Sequence, residues 1–287
     1  MICSIVVLYE PKSGELNSIL NYCDLVDYSF VLDNSKESHE NEVNSVLRGR
    51  DTLRYRYVHF GENIGLCKAL NYGMNLARKE NYDWALLMDS DSIVVNDIVF
   101  YYKKILQSDK KNNNIAVLAP VHIFDRSKKV VYEGNKQVKW AMTSGSLYNV
   151  SIFEELHGFK EELFVDGLDM DYCYKARENG YKIIEVGAAE VKHFPAETRT
   201  LSIGHKEVFK YGYASPWRYC MQVRALVWLV LRYKSYKDIV TYMYKWFKVL
   251  FLFDNKIEFI NQMVKGSKEG FRLWNKEKGD IKRYKKI

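Results

Sequence analysis

Four short apolar runs occupy the first ninety residues, at 2–8, 30–32, 55–60 and 84–88, and each stops at polar residues. Between the last two, Leu66, Ala69, Leu70, Gly73, Met74 and Ala77 recur at helical spacing, and residues 16–26 read as another helix. Strands alternating with helices at this pitch close by right-handed crossovers into a mostly parallel sheet flanked by helices. The expected class is therefore α/β. In such sheets the ligand sits outside the carboxyl ends of the strands. Here those ends carry Tyr9-Glu10-Pro11, Asp33-Asn34-Ser35, Gly61-Glu62-Asn63-Ile64-Gly65 and Asp89-Ser90-Asp91.

Further along, strands are expected at 115–119, 129–132, 146–150, 182–186 and 190–193, with a helix at 169–179 closed by Gly180. From 205 onward the pattern is helical, with segments at 217–233, 236–253 and 257–271. A length of 287 residues suits one large domain, 1–204, with a helical appendage, 205–287. The five cysteines are odd in number and scattered, which favours free thiols in a reducing compartment. The start lacks the basic region of a secretion signal. The longest apolar stretch, 225–231, lies between Arg224 and Arg232 and falls far short of the roughly 20 residues that a bilayer span needs.

Charge is uneven. Residues 205–287 hold 19 Lys/Arg against 7 Asp/Glu, whereas the first 204 hold 24 against 29. A basic tail interleaved with Trp, Tyr, Phe and Leu suits an anionic membrane surface better than nucleic acid. No Gly-x-Gly-x-x-Gly follows the first strand and no Gly-x-x-x-x-Gly-Lys-[Ser/Thr] occurs, so dinucleotide oxidoreductases and P-loop NTPases are disfavoured. Asp89 and Asp91, spaced i, i+2, offer hard oxygen ligands to a divalent cation that holds phosphates. A plainer use is to cap the helix suggested by Asn96-Asp97-Ile98-Val99. The pair alone leaves both open.

An ordered set of short motifs adds to this reading. It comprises Val7-Leu8-Tyr9-Glu10-Pro11, Val31-Leu32-Asp33-Asn34-Ser35, Glu62-Asn63-Ile64-Gly65 through Ala69-Leu70-Asn71-Tyr72-Gly73, and Leu87-Met88-Asp89-Ser90-Asp91-Ser92. Thr143-Ser144-Gly145-Ser146, Gly158-Phe159, Leu163 through Cys173, and His193 follow. Over residues 3–225 the chain resembles family 2 glycosyltransferases of the GT-A fold, especially the rhamnosyltransferase-like branch of bacterial surface-polysaccharide synthesis.

The resemblance implies an inverting transfer from a dTDP- or UDP-linked sugar to an acceptor hydroxyl. It puts Mn2+ or Mg2+ on Asp89 and Asp91, with His193 as third ligand or as a structural histidine, and the catalytic base at Asp169. Asp166 and Asp171 are rivals for that role, Asp171 more as an orienting group. Asp33 would contact the pyrimidine with Tyr9 packed near it, Asn63 would line the donor loop, and Lys68 would approach the diphosphate or stay solvated. Ser144 and Gly145 would line the donor site, and Trp140 would stack on a sugar or pack in the core. Two departures stand out: Leu168 replaces the acid before the base, and Lys175 the arginine six positions after it. Arg218 and Arg224 keep the branch's spacing, and Arg218 is assigned to substrate.

The processive synthases' Gln-x-x-Arg-Trp is absent, which implies single additions. The acceptor expected is a lipid-linked saccharide at the cytoplasmic face of the plasma membrane. There the tail's Trp246, Phe247, Phe251, Phe253 and Trp274, among Lys245, Lys248, Lys256 and Lys276, would hold the protein peripherally. Packing as a bundle or pairing two copies is the alternative use of the tail. Two rival functions are a nucleotidyltransferase, whose glycine-rich first loop is missing, and a silent membrane-docked scaffold.

Overall fold

The computed structural model describes residues 1–12, 14–48, 54–108, 114–126, 132–193, 196–203 and 206–284. Two compact units emerge, Met1–Glu161 with Tyr172–Phe194 and Glu162–Asp171 with Pro195–Ile287.

The first unit starts with β1 (Ile2–Leu8), every residue of which is buried. Two 3-10 turns, Glu15–Asn21 and Cys23–Leu25, stand where a helix was expected at 16–26. Asn17, Ser18, Asn21 and Asp24 are weak helix formers, and Ser18 donates its hydroxyl to the distant Ser90 carbonyl at 2.6 Å. Next come β2 (Tyr28–Asp33), α1 (Glu40–Leu47), β3 (Tyr55–His59), α2 (Leu66–Lys79), β4 (Trp84–Asp89), β5 (Ile93–Val94) and α3 (Ile98–Ser108). After these follow β6 (Ile115–Ile123), β7 (Asn135–Gln137), β8 (Ser146–Asn149), α4 (Val150–Glu155), α5 (Leu168–Glu178) and β9 (Lys182–Lys192). Of the strand expected at 129–132, all but Tyr132 lies outside the described residues.

The strands form one nine-stranded sheet ordered β3-β2-β1-β4-β8-β6-β9-β5, with β7 paired to β9. β1 runs parallel to β2 and β4, β2 to β3, and β6 to β9, whereas β8, β5 and β7 join antiparallel. The α/β expectation with its largely parallel sheet therefore stands. The two strands expected at 182–186 and 190–193 are one. Opposite them Pro120 pairs with Val186 and Val121 with Glu190, so residues 187–189 bulge out of a continuous ladder.

The second unit holds a hairpin, β10 (Glu197–Ile203) with β11 (Lys206–Tyr213), then α6 (Pro216–Tyr233), α7 (Tyr236–Leu252) and α8 (Lys256–Tyr284). Helix from 205 is thus corrected at its start. Phe209, Tyr211 and Tyr213 alternate with Val208, Lys210 and Gly212, a period of two that sets the aromatic face against Phe253 and Phe259. α8 runs well past residue 271, because Gly266 and Gly270 let it lie against α6. A Cβ at either would come within 2.3–2.4 Å of the carbonyl oxygen of Cys220 or Arg224.

Candidate active site

In-register pairing brings the polar strand ends to one edge. Leu8 of β1 pairs with Asp33, Asp33 with His59, and Val7 with Asp89. β5 then makes the decisive link. Its Ile93, two residues after Asp91, pairs with Lys192, which immediately precedes His193. That short ladder brings residues a hundred positions apart into one cluster.

The ligand atoms of Asp89, Asp91 and His193 lie within 4.8 Å of one another. His193 Nδ1 stands 3.8 Å from Asp89 Oδ2 and 3.8 Å from Asp91 Oδ1. The aspartate side chains are 33% and 43% exposed, so they meet solvent, whereas His193 at 6% backs the cluster from inside. Two carboxylate oxygens and an imidazole nitrogen suit manganese or magnesium in chemistry. Ligand atoms around one such ion stand roughly 3–4 Å apart, so the spacing fits after a small closure. The capping alternative falls away, since it is Asp97 Oδ1 that accepts from Phe100 N at 2.9 Å in the first turn of α3.

Residues not picked from the sequence support this cluster. Ser92, fully buried, lies with its Oγ 2.7 Å from His193 Nδ1. Asp89 N donates to Ser144 Oγ at 3.1 Å, and Gly145 N donates to the Leu87 carbonyl. His122 Nε2 lies 2.7 Å from the Ser144 carbonyl and so carries the proton. Burial pushes His122 down to about 4, against the opposing pull of that carbonyl, so the ring is neutral near pH 7. Ser144 is itself buried; it positions the strand end from beneath. A histidine alternating on a strand and a serine just after a paired-aspartate motif were the only signals for His122 and Ser92.

At the neighbouring strand end Asp33 is fully buried. Its Oδ1 accepts from Ser35 N, and its Oδ2 accepts from His39 N and the Tyr57 hydroxyl, with His39 Nδ1 at 3.0 Å. Burial alone would raise its pKa, but these bonds hold it below the ordinary carboxylate range. Tyr57 in turn is pushed up to about 12 by burial and by Asp33. Asp33 therefore organises the loop through these bonds. Asn34 Nδ2 donates to Asn63 Oδ1, which also accepts from Gly65 N, and this ties the second strand end to the third. Tyr9, Asn63 and Lys68 are exposed, and Trp140 is 39% exposed, so its ring is not a core residue.

In the second unit, α5 carries Asp169 and Asp171 in its first turn. Asp169 Oδ1 accepts from Met170 N at 2.8 Å and the residue is half-buried. Asp171 is buried and accepts from the Tyr233 hydroxyl at 2.6 Å, which anchors α5 to α6. Asp166 pairs with Arg218, Oδ2 to Nε, at 2.8 Å. Burial raises the Asp166 pKa, and Arg218 and Lys245 oppose it. Leu168, at the position where the broader family has an acid, is buried. Lys175 donates to the Gly158 carbonyl at 2.6 Å within the first unit.

Residues 16–164 match the sequence profile of glycosyl transferase family 2. The chain belongs to that family. This family 2 glycosyltransferase is 24% identical to the dTDP-rhamnosyl transferase RfbF of Shigella flexneri, over 94% of its own length and 95% of that protein's. Its fold is similar to that of S. aureus TarS 1-349 in complex with UDP-GlcNAc, at a TM-score of 0.60 and 16% identity over 91% of this chain and 79% of that one. It is also similar to GalNAc-T7 crystallised with UDP, GalNAc and Mn2+, at a TM-score of 0.54 and 12% identity over 80% of this chain. The match spans 47% of the GalNAc-T7 chain, about half its length. The architecture is GT-A, and the protein is a glycosyltransferase. Among the described residues no helix is long and apolar enough to cross a membrane.

Proposed function

We propose that this family 2 glycosyltransferase moves a rhamnose-like or galactose-type sugar from a dTDP- or UDP-linked donor to a hydroxyl of a lipid-linked saccharide, with inversion. The convergence of Asp89, Asp91 and His193 at the carboxyl edge of the sheet carries this reading. Similarity to a dTDP-rhamnosyl transferase along nearly the whole chain, and to folds solved with UDP-linked ligands, supports the donor class.

When bound by Asp89, Asp91 and His193, manganese or magnesium supplies positive charge against the negative charge that grows on the departing nucleoside diphosphate. Ser144 and His122 keep Asp89 in place, and Ser92 lies against the His193 ring. Tyr9 and the linked Asn34–Asn63 loop flank the nucleobase, Gly145 and Trp140 line the sugar, and Lys68 lies toward the diphosphate. Asp169 takes the proton from the acceptor hydroxyl as that oxygen attacks. A sugar hydroxyl is too weak an acid to ionise beforehand, and a helix first turn favours the ionised carboxylate that a base needs. Arg218, paired with Asp166, and Asp171 orient the acceptor side. Residues 1–204 form the catalytic domain, and 205–287 hold the acceptor side at the inner face of the plasma membrane or pair two copies.

Calorimetry with manganese and dTDP- or UDP-sugars tests the assignment. Asp91→Ala loses metal-dependent donor binding, whereas Asp169→Asn binds donor and loses turnover by about 100- to 10,000-fold. Undiminished donor binding by Asp91→Ala, or full turnover by Asp169→Asn, refutes the respective role. Pyrophosphate-dependent cleavage of the donor would mark a nucleotidyltransferase instead.

A further inference from the structure

Helix α7 is inverted. Eight large apolar side chains on it, among them Tyr236, Val240, Met243, Phe247 and Phe251, are 43–68% exposed. The five named recur at i, i+4, i+7, i+11 and i+15, one continuous face of the helix. Of its polar residues Asp238, Lys245 and Lys248 turn toward the rest of the second unit, while Lys237 and Thr241 are exposed. Asp238 and Lys248 are buried, Lys248 donates to the Gly212 carbonyl at 3.0 Å, and Lys245 donates to Gln222 Oε1 at 2.6 Å. An exposed apolar face of this extent on a soluble surface marks a docking site. Trp246 and Phe253, expected to meet lipid, pack instead into the second unit's core with Tyr211 and Phe259, and Lys248 is buried beside them.

We infer that this outward face of α7 lies in the surface of an anionic phospholipid bilayer, parallel to the membrane plane. Charge selects the occupant. Residues 205–287 hold 19 Lys/Arg against 7 Asp/Glu, so two copies of this segment repel one another, whereas acidic headgroups attract it. The only acid on α7, Asp238, is turned inward, and Asp254 just after it lies 3.8 Å from Arg199. Aromatic rings and apolar side chains on a flat-lying helix, with basic charge around them, are what an interfacial helix requires. The inference deepens the membrane-side part of the proposed function and needs none of its transfer chemistry.

Sedimentation of the full chain with vesicles tests it. Binding to 1:1 phosphatidylglycerol–phosphatidylcholine vesicles is expected to be at least tenfold tighter than to pure phosphatidylcholine, and weaker in 500 mM than in 50 mM NaCl. Met243→Glu with Phe247→Glu lowers it at least tenfold, and the milder Met243→Ser moves it in the same direction. Donor turnover on a water-soluble acceptor is unchanged in these variants. Equal binding by variant and parent, or no binding by the parent, overturns the inference. So does a stable dimer in analytical ultracentrifugation that the double variant splits, since a second copy would then cover the face. Vesicle binding by a protein that transfers no sugar would refute the enzymatic reading and leave this one standing.

Discussion

Replacing Gly145 with alanine probes the point where the strand ends beside Asp89 and His193 are held together. Gly145 sits at φ +75°, and an added Cβ would lie 2.6 Å from Val191 Cγ2 and 3.0 Å from Pro120 Cγ. The left-handed backbone costs an L-residue about 1–2 kcal/mol, and overpacking a filled site adds about 1–3 kcal/mol. Gly145→Ala should therefore lose about 2–5 kcal/mol in urea unfolding followed by circular dichroism. Gly180→Ala is the control, because Gly180 has φ +83° but open space around it, and should lose only the backbone share. Val191 lies two residues before His193 on β9, so its displacement also disturbs the cluster and weakens manganese binding. Adding Val191→Ala removes the contacted methyl groups and should restore about 1 kcal/mol or more relative to additivity. Equal losses for Gly145→Ala and Gly180→Ala, with no coupling to Val191, would refute the close-approach argument.

Asp33→Asn should cost about 2–3 kcal/mol at pH 7, from weakened bonds to a buried charge. The folded pKa of Asp33 lies below its unfolded value, so its contribution is present above the unfolded value and fades as pH falls through the folded one. The gap between parent and variant in urea should therefore hold down to about pH 5 and narrow below about pH 4, and a gap that stays constant there would contradict the assignment. Gly266→Ala should push α8 off α6 by forcing a Cβ against the Cys220 carbonyl, losing about 1–3 kcal/mol. Hydrogen exchange in α6 and α8 would report the loss, and unchanged protection would count against it. Tyr233→Phe removes a 2.6 Å bond to the buried Asp171 and should cost about 1–3 kcal/mol in thermal unfolding; no change would show that α5 is anchored otherwise.

Local pattern was enough for β1, α2 and β4, because a buried run ending in aspartate and a helix with one apolar stripe each declare their period within a dozen residues. The aromatic residues of β11 alternate with equal clarity, but a strand rich in Tyr and Lys just before long helices looks like helix when only composition is weighed. The two 3-10 turns at Glu15–Asn21 and Cys23–Leu25 escaped for another reason. Their apolar spacing is helical, and a partner of the first turn, the Ser90 carbonyl that accepts from Ser18, lies some seventy residues away.

The site divides along the same line. Asp89 and Asp91 stand two apart in the chain, and a strand that ends there presents them together, so the residues themselves offer a cation site as one of two readings. That His193 joins them depends on Ile93 pairing with Lys192, a contact with no counterpart in local periodicity. Asp33 is chemically as plausible a ligand contact as Asp89, yet it is fully buried and already accepts from Ser35, His39 and Tyr57. Which polar groups remain available to a ligand depends on burial and hydrogen-bond satisfaction, and both are set by segments that approach from elsewhere in the chain. The same holds for α7, whose composition shows an amphipathic helix but cannot say which side faces water. Packing against α6 and β11 turned Asp238, Lys245 and Lys248 inward and left the apolar side out.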